Sequence, residues 1–212
     1  HFKSESLIGY NAGYRRLFNP RVYIDFSAFY NTYQNLQSFG APTLSTENTP
    51  PPPHGVLTIP YANAIAGATS GGEIAPSWEI TDWFRLSGSY SYVNINMHAN
   101  APTSDISASG SVPTYERSTP RHQAQIQSTF NLPKHFEFDQ FYRFASALPA
   151  QHVDAYHSLD VRFGWSYNTR FSVAVVGQNL LRPYHYEWGT GDPSQAPFGV
   201  RRAIYAQLTW RQ

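Results

Sequence analysis

Apolar and polar residues alternate along most of the chain, most clearly over 156–176. Leu159, Val161, Phe163, Trp165 and Tyr167 hold one parity, and Asp160, Arg162, Gly164 and Ser166 hold the other. A period of two marks a strand with one apolar and one polar face. Asn168-Thr169 allows a turn, and Phe171, Val173 and Val175 return opposite Ser172, Ala174 and Val176. The pattern recurs elsewhere. Phe84, Leu86, Tyr90 and Tyr92 oppose Arg85, Ser87, Ser89 and Ser91, while Phe136, Phe138, Tyr142 and Phe144 oppose Glu137, Asp139 and Arg143. Val22, Ile24, Phe26, Ala28 and Tyr30 form a further apolar register, and Ile204, Ala206, Leu208 and Trp210 form the last.

This patterning predicts about nine strands joined by links of unequal length. The links near 18–20, 81–82, 132–134 and 168–169 are short, and those near 39–57, 97–119, 145–154 and 180–200 are long. Strict alternation puts every short turn at one end of an up-and-down meander and every long loop at the other. Outer-membrane barrels are built this way, whereas Greek-key crossings give a soluble sandwich no reason to sort links by length. The expected fold is therefore all-β: a portion of an antiparallel up-and-down transmembrane β-barrel, with short periplasmic turns and long extracellular loops. Nine antiparallel strands would leave the first and last parallel if joined, so an incomplete or open part of a barrel is expected. Gly67, Gly71 and Gly72 suggest bulges within 57–80, and the prolines at 50–53 suggest a short polyproline spacer.

Composition agrees with this expectation. Charged residues make up only 14% of the 212 residues, and aromatics reach 16%. A net charge of +1 without a Lys/Arg cluster speaks against nucleic acid as a partner. The absence of Cys excludes disulfides, Fe–S ligation and a thiol nucleophile. No run of 18 apolar residues exists, which excludes a helical span but not a barrel. The chain starts at His1 rather than Met, as expected of a processed product or fragment.

Several stretches resemble the C-terminal half of the barrel of TonB-dependent outer-membrane receptors. They are Gly9-Tyr10-Asn11-Ala12-Gly13-Tyr14-Arg15, Phe29-Tyr30-Asn31-Thr32-Tyr33-Gln34-Asn35-Leu36, Gly71-Gly72-Glu73 and Val176-Gly177-Gln178-Asn179-Leu180-Leu181. The terminal Ala203-Ile204-Tyr205-Ala206-Gln207-Leu208-Thr209-Trp210-Arg211 completes the set, and the resemblance covers essentially all 212 residues. It implies a barrel of about 22 strands closed by a plug. It also implies TonB-powered import of a ferric siderophore or similar scarce nutrient across the outer membrane of a Gram-negative-type bacterium. The implied partners are outer-membrane lipid, a plug domain, the TonB complex and a chelated nutrient. Residues 1–212 would form a single unit, the C-terminal part of that barrel, without the plug or the N-terminal strands. The chain departs from the family in ending on Gln212 instead of an aromatic residue.

Candidate chemistry is sparse. His152, Asp154 and His157 diverge if a loop runs into a strand there, which makes them solvated residues and not a metal site. His185 and Glu187 share a parity beside Trp188, as ligand contacts or as an ordinary polar loop. Arg117 and Arg121, with His122, form the best cationic patch, and Tyr115 and Trp188 offer aromatic surface. The candidate ligand-binding set is thus Tyr115, Arg117, Arg121, His185 and Trp188. Glu73, Glu79, Arg85, Glu137, Asp139, Arg143, Asp160 and Arg162 form a mixed-sign lumenal set, with neighbouring strands about 5 Å apart. No metalloprotease, nucleophile-elbow or phosphate-loop motif is present, so no catalytic residue, metal or cofactor is expected. Two alternatives remain open. One is a small outer-membrane protease or lipase, although Ser158 beside His157 would face the opposite way. The other is a surface-binding or adhesion barrel that transports nothing.

Overall fold

The computed structural model describes residues 2–100, 106–189 and 198–211. Its strands are β1 (Ser6–Asn19), β2 (Val22–Phe39), β3 (Thr43–Glu47), β4 (His54–Thr58), β5 (Tyr61–Thr81) and β6 (Phe84–Ala99). The helix α1 (Ile106–Arg117) precedes β7 (His122–Leu132), β8 (Phe136–Ala145), β9 (Tyr156–Ser166) and β10 (Phe171–Gln178). The last three strands are β11 (Tyr184–Trp188), β12 (Phe198–Arg201) and β13 (Ala203–Trp210). Nine strands form one sheet in the order β1-β2-β5-β6-β7-β8-β9-β10-β13, with β3–β4 and β11–β12 as separate pairs. This is the expected meander, and its links alternate between short and long.

Its details differ from expectation in four places. Two tight turns fall one residue later, at Pro20-Arg21 and Asp82-Trp83. The long links carry structure of their own: the β3–β4 hairpin, α1 and the β11–β12 hairpin. The prolines at 50–53 bend the chain at the tip of β3–β4 and do not form an extended spacer. The glycines do not interrupt β5, which runs unbroken for 21 residues. Gly67 serves close approach instead, since a Cβ there would lie 2.3 Å from the Asn96 carbonyl oxygen and 2.5 Å from Met97 Sδ.

The chain divides into two compact units. The first comprises His1–Asn11, Phe29–Ser70 and Asn94–Arg117. Its core is Ala64, Ile65 and Met97, against which Tyr33, Leu36, Ile95 and Val112 pack. Helix α1 forms there although Ser, Gly and Pro113 are poor helix formers. Val112 docks it on this core, and Glu116 Oε1 accepts the Met97 N–H at 3.0 Å.

The second unit comprises Ala12–Ala28, Gly71–Val93 and Ser118–Gln212. Its antiparallel registers place Phe84 opposite Phe130, Phe130 opposite Phe138, and Phe138 opposite Phe163. The rings follow one another across four strands, at centroid distances of 4.4, 5.9 and 6.5 Å. Such pairs add about 0.5–1.5 kcal/mol each beyond the area they bury.

The faces of this sheet are reversed relative to those of a water-soluble protein. On the apolar face Phe163, Val175, Leu208 and Trp210 are 46, 51, 65 and 70% exposed. On the polar face Ser158 and Ala174 are 0 and 5% exposed. Water would penalise that arrangement, whereas hydrocarbon outside and a polar interior satisfy both faces. Phe163→Arg should therefore cost about 2–4 kcal/mol of stability in a bilayer. Gln127→Arg on the polar face should stay within about 0.5 kcal/mol. Denaturant unfolding of the lipid-reconstituted receptor measures both, and equal costs would contradict the sidedness.

Candidate functional site

The polar face is organised by cross-strand ion pairs. The β8–β9 register sets Asp139 opposite Arg162, Glu137 opposite Gly164 and Arg143 opposite Ser158. Arg162 Nη1 donates to Glu137 Oε2 at 2.7 Å and to Asp139 Oδ2 at 3.1 Å. It reaches Glu137 by lying over Gly164, where a Cβ would sit 2.9 Å from Arg162 Nη2. Glycine at 164 therefore makes room for the guanidinium, and this position is not a free lumenal slot. Arg143 Nη2 donates to Asp160 Oδ2 at 2.9 Å and to Ser158 Oγ at 3.3 Å. Arg85 pairs with Glu79 at 2.8 Å.

Asp160 carries this network from the strands into the link that follows β10. Its Oδ1 accepts the Asn179 N–H at 2.8 Å. Asn179 is 1% exposed and holds the left-handed backbone conformation (φ 50°) that Asn tolerates better than most residues. Its Nδ2 donates to the Val200 carbonyl at 2.9 Å, while its Oδ1 meets His185 Nδ1 at 3.1 Å. His185 Nε2 meets Glu187 Oε1 at 3.1 Å, and the ring stacks on Tyr156 at 4.2 Å. A chain of polar contacts thus runs from Arg143 to the β11–β12 hairpin.

The five ligand candidates occupy different settings. Tyr115 and Arg117 lie exposed on the last turn of α1, in the first unit. Arg121, His185 and Trp188 belong to the second unit. Arg121 is exposed just before β7, and its carbonyl accepts the Val93 N–H at 3.0 Å. Trp188 is 48% exposed at the end of β11. His185 is 5% exposed with both ring nitrogens engaged, so its visible task is to hold the hairpin. Of the other histidines, His157 meets the Tyr142 hydroxyl, and His152 closes the turn after Pro149–Gln151. Ser158 is fully buried under Arg143 and offers no exposed nucleophile.

One feature of the loops was missed. Tyr184, Tyr186 and Arg201 line a recess of about 500 Å³ on the β11–β12 hairpin, with Pro183 and Gly199. Tyr184 and Tyr186 meet edge to face at 5.0 Å. The Tyr184 phenol lies above its usual pKa, first because of its hydrogen bond with Tyr186. Alternation within 184–188 was the available signal, because it separates Tyr184 and Tyr186 from His185.

Comparisons with known proteins bear on this geometry. The family described as TonB dependent receptor-like, beta-barrel matches residues 1–180. No curated protein matches the chain. The FrpB iron transporter from Neisseria meningitidis (F3-3 variant) superposes with a TM-score of 0.69 at 12% identity, over 99% of this chain and 32% of that one. The ferric yersiniabactin uptake receptor FyuA from Yersinia pestis gives 0.68 at 15% identity, over 97% and 30%. The copper transporter OprC gives 0.65 at 11%, over 99% and 32%. The chain therefore spans about a third of the length of the structures it matches. At these identities the likeness is one of fold.

Removing the branch point of the polar chain should loosen the link after β10. Asp160→Ala breaks the Arg143 pair and frees the Asn179 N–H, at an expected cost of about 1–3 kcal/mol. Limited proteolysis of the folded receptor should then cut within 180–200 faster than in the wild type. Unchanged cleavage and stability would mean that Asp160 does not tie the hairpin to the strands.

Proposed function

Because the chain belongs to the TonB-dependent receptor-like β-barrel family, seated in the outer membrane of Gram-negative-type bacteria, we propose that it works within a receptor that imports a scarce nutrient. The observation that supports this most is the reversed sheet, whose exposed apolar register suits lipid and whose ion-paired face suits a polar interior. We propose further that these residues form part of a larger wall. β1 and β13 are the two ends of the strand order, and all 14 residues of β1 are exposed. An edge that long invites pairing, which barrel closure supplies. The plug, the N-terminal strands and the TonB-contacting segment belong to the complete receptor and lie outside these 212 residues.

The proposed cargo is an anionic metal chelate. Tyr115 and Arg117 on α1, with Arg121 and Trp188 in the second unit, present exposed aromatic and cationic groups on the long links. The recess of Tyr184, Tyr186 and Arg201 adds the same chemistry. Cationic groups at a mouth raise the local concentration of an anion, an effect that salt screens within about 10 Å at 0.1 M. In the full-length receptor, Arg117→Ala/Arg121→Ala should weaken binding of a ferric siderophore several-fold at low ionic strength, and less at high. Equal affinity at low ionic strength would remove both arginines from the site. Arg143→Ala serves as the control and should lower stability while leaving affinity in the surviving folded fraction unchanged.

A further inference from the structure

Within the second unit, His122 and His157 meet the hydroxyls of Tyr90 and Tyr142 at one rim of the outward register. Between that rim and the short turns, the outward register of β6–β9 turns polar at one place. On β8 it reads Phe136, Phe138, Gln140, Tyr142 and Phe144, so Gln140 interrupts a run of rings. Its partner in the β7–β8 register is Ser128, which stands between Ile126 and Phe130 on the same face. Leu86 flanks the pair on β6 and Val161 flanks it on β9. Both β7 and β8 lie inside the sheet, so no strand is missing beside them. Gln140 is four residues from Phe136 and four from Phe144, about 14 Å along the strand each way. Trp165 faces Phe136, and His157 faces Phe144. Interfacial Trp and Tyr mark the two headgroup levels, which puts Gln140 midway through the hydrocarbon.

A primary amide carries two N–H donors and an oxygen with two lone pairs. Among the described residues neither Gln140 nor Ser128 hydrogen-bonds through its side chain, and the adjacent Tyr142 hydroxyl is taken by His157. A bond between Ser128 and Gln140 themselves would engage one group of the amide and leave the others. Lipid tails offer no partner, so the amide costs free energy until protein supplies one. The surface beside it has room for protein. Ser128 is the small residue between Ile126, which is 49% exposed, and Phe130, whose ring lies 5.9 Å from that of Phe138. It leaves a hollow in an otherwise bulky face. The chemistry of the amide selects the occupant. Two glutamines related by a twofold axis satisfy each other with a pair of N–H···O bonds, and such an axis sets the same patch against itself. We infer that the patch centred on Ser128 and Gln140 is an interface with a second copy of this chain, closed about a twofold axis within the membrane. Gln140 meets Gln140 of the partner subunit there, and each Ser128 hollow receives a side chain from the other copy. This pairing is additional to nutrient import and rests on the lipid-facing register alone.

The test uses the full-length receptor in phospholipid vesicles over a range of protein-to-lipid ratios. Donor and acceptor dyes on separate copies read association by energy transfer. The wild type should dimerise reversibly, with transfer falling on dilution into lipid. Gln140→Leu should weaken association at least about tenfold, and Ser128→Leu should weaken it by filling the hollow. Val175→Leu, an outward change on β10, should leave it unaltered. At high dilution, where copies are apart, Gln140→Leu should unfold at no lower temperature than the wild type, because it removes only an unpaired amide. A wild type that is monomeric at every ratio, or equal association in Gln140→Leu, overturns the interface. A lower unfolding temperature of diluted Gln140→Leu would assign the amide to the barrel's own packing and overturn it too. A photo-cross-linker at position 140 that captures a different outer-membrane protein, with the wild type monomeric in vesicles, would give the face to that protein and overturn the second copy. Each of these failures is compatible with a lipid-facing register, which oxygen accessibility along β10 tests separately.

Discussion

A peptide group in hydrocarbon has no water to bond with, so each N–H and C=O must find a partner within the protein. That constraint explains why nine strands pair edge to edge in one antiparallel sheet. Strands can also run past the bilayer. At about 3.4 Å per residue, the 21 residues of β5 rise about 70 Å, well beyond the 9–11 residues a bilayer demands. Once the backbone is paired, the side chains divide by parity. Apolar rings such as Phe163 and Trp165 remain on the outside, and charges such as Asp139 and Arg162 meet on the other face.

The charges on that face are arranged to neutralise one another. Arg162 shared between Glu137 and Asp139, and Arg143 held by Asp160, set two cations against three acids and leave one net negative charge in this part of the wall. Their attraction is modest in energy because all are partly exposed, and their value lies in fixing geometry. Asp160 shows this best. One of its oxygens holds a strand partner and the other holds the first residue of the link after β10, from which Asn179 and His185 organise the hairpin. The hairpin that follows β10 is thereby given a defined base.

Much of this was legible in the sequence, because a period of two is a direct print of the pleat. The hairpins β7–β8 and β9–β10 were readable in type and in the parity of their faces, since a slip by one residue would have exchanged Phe138 and Asp139 between faces, whereas a slip by two would not. The links were less legible. Helix α1 rests on Val112 and Glu116 meeting Met97, a contact made across the fold by a segment whose own composition argues against a helix. Alternation places Gly164 on the polar face, but nothing local shows that Arg162 folds over it. His185 and Trp188 looked like neighbours at one site, yet a buried hydrogen-bonded ring and an exposed indole perform different tasks.

The central claim is that the apolar register faces lipid. These 212 residues contain no cysteine, so single spin labels can be introduced along β10 once any cysteine elsewhere in the receptor is replaced by serine. With Ser172→Cys, Val173→Cys, Val175→Cys and Val176→Cys in the bilayer-reconstituted receptor, collision with oxygen, which concentrates in hydrocarbon, is compared with collision with a water-soluble nickel chelate. The account predicts high oxygen and low nickel accessibility at 173 and 175, with a lower oxygen-to-nickel ratio at 172 and 176. A reversed pattern, or none of period two, would contradict it.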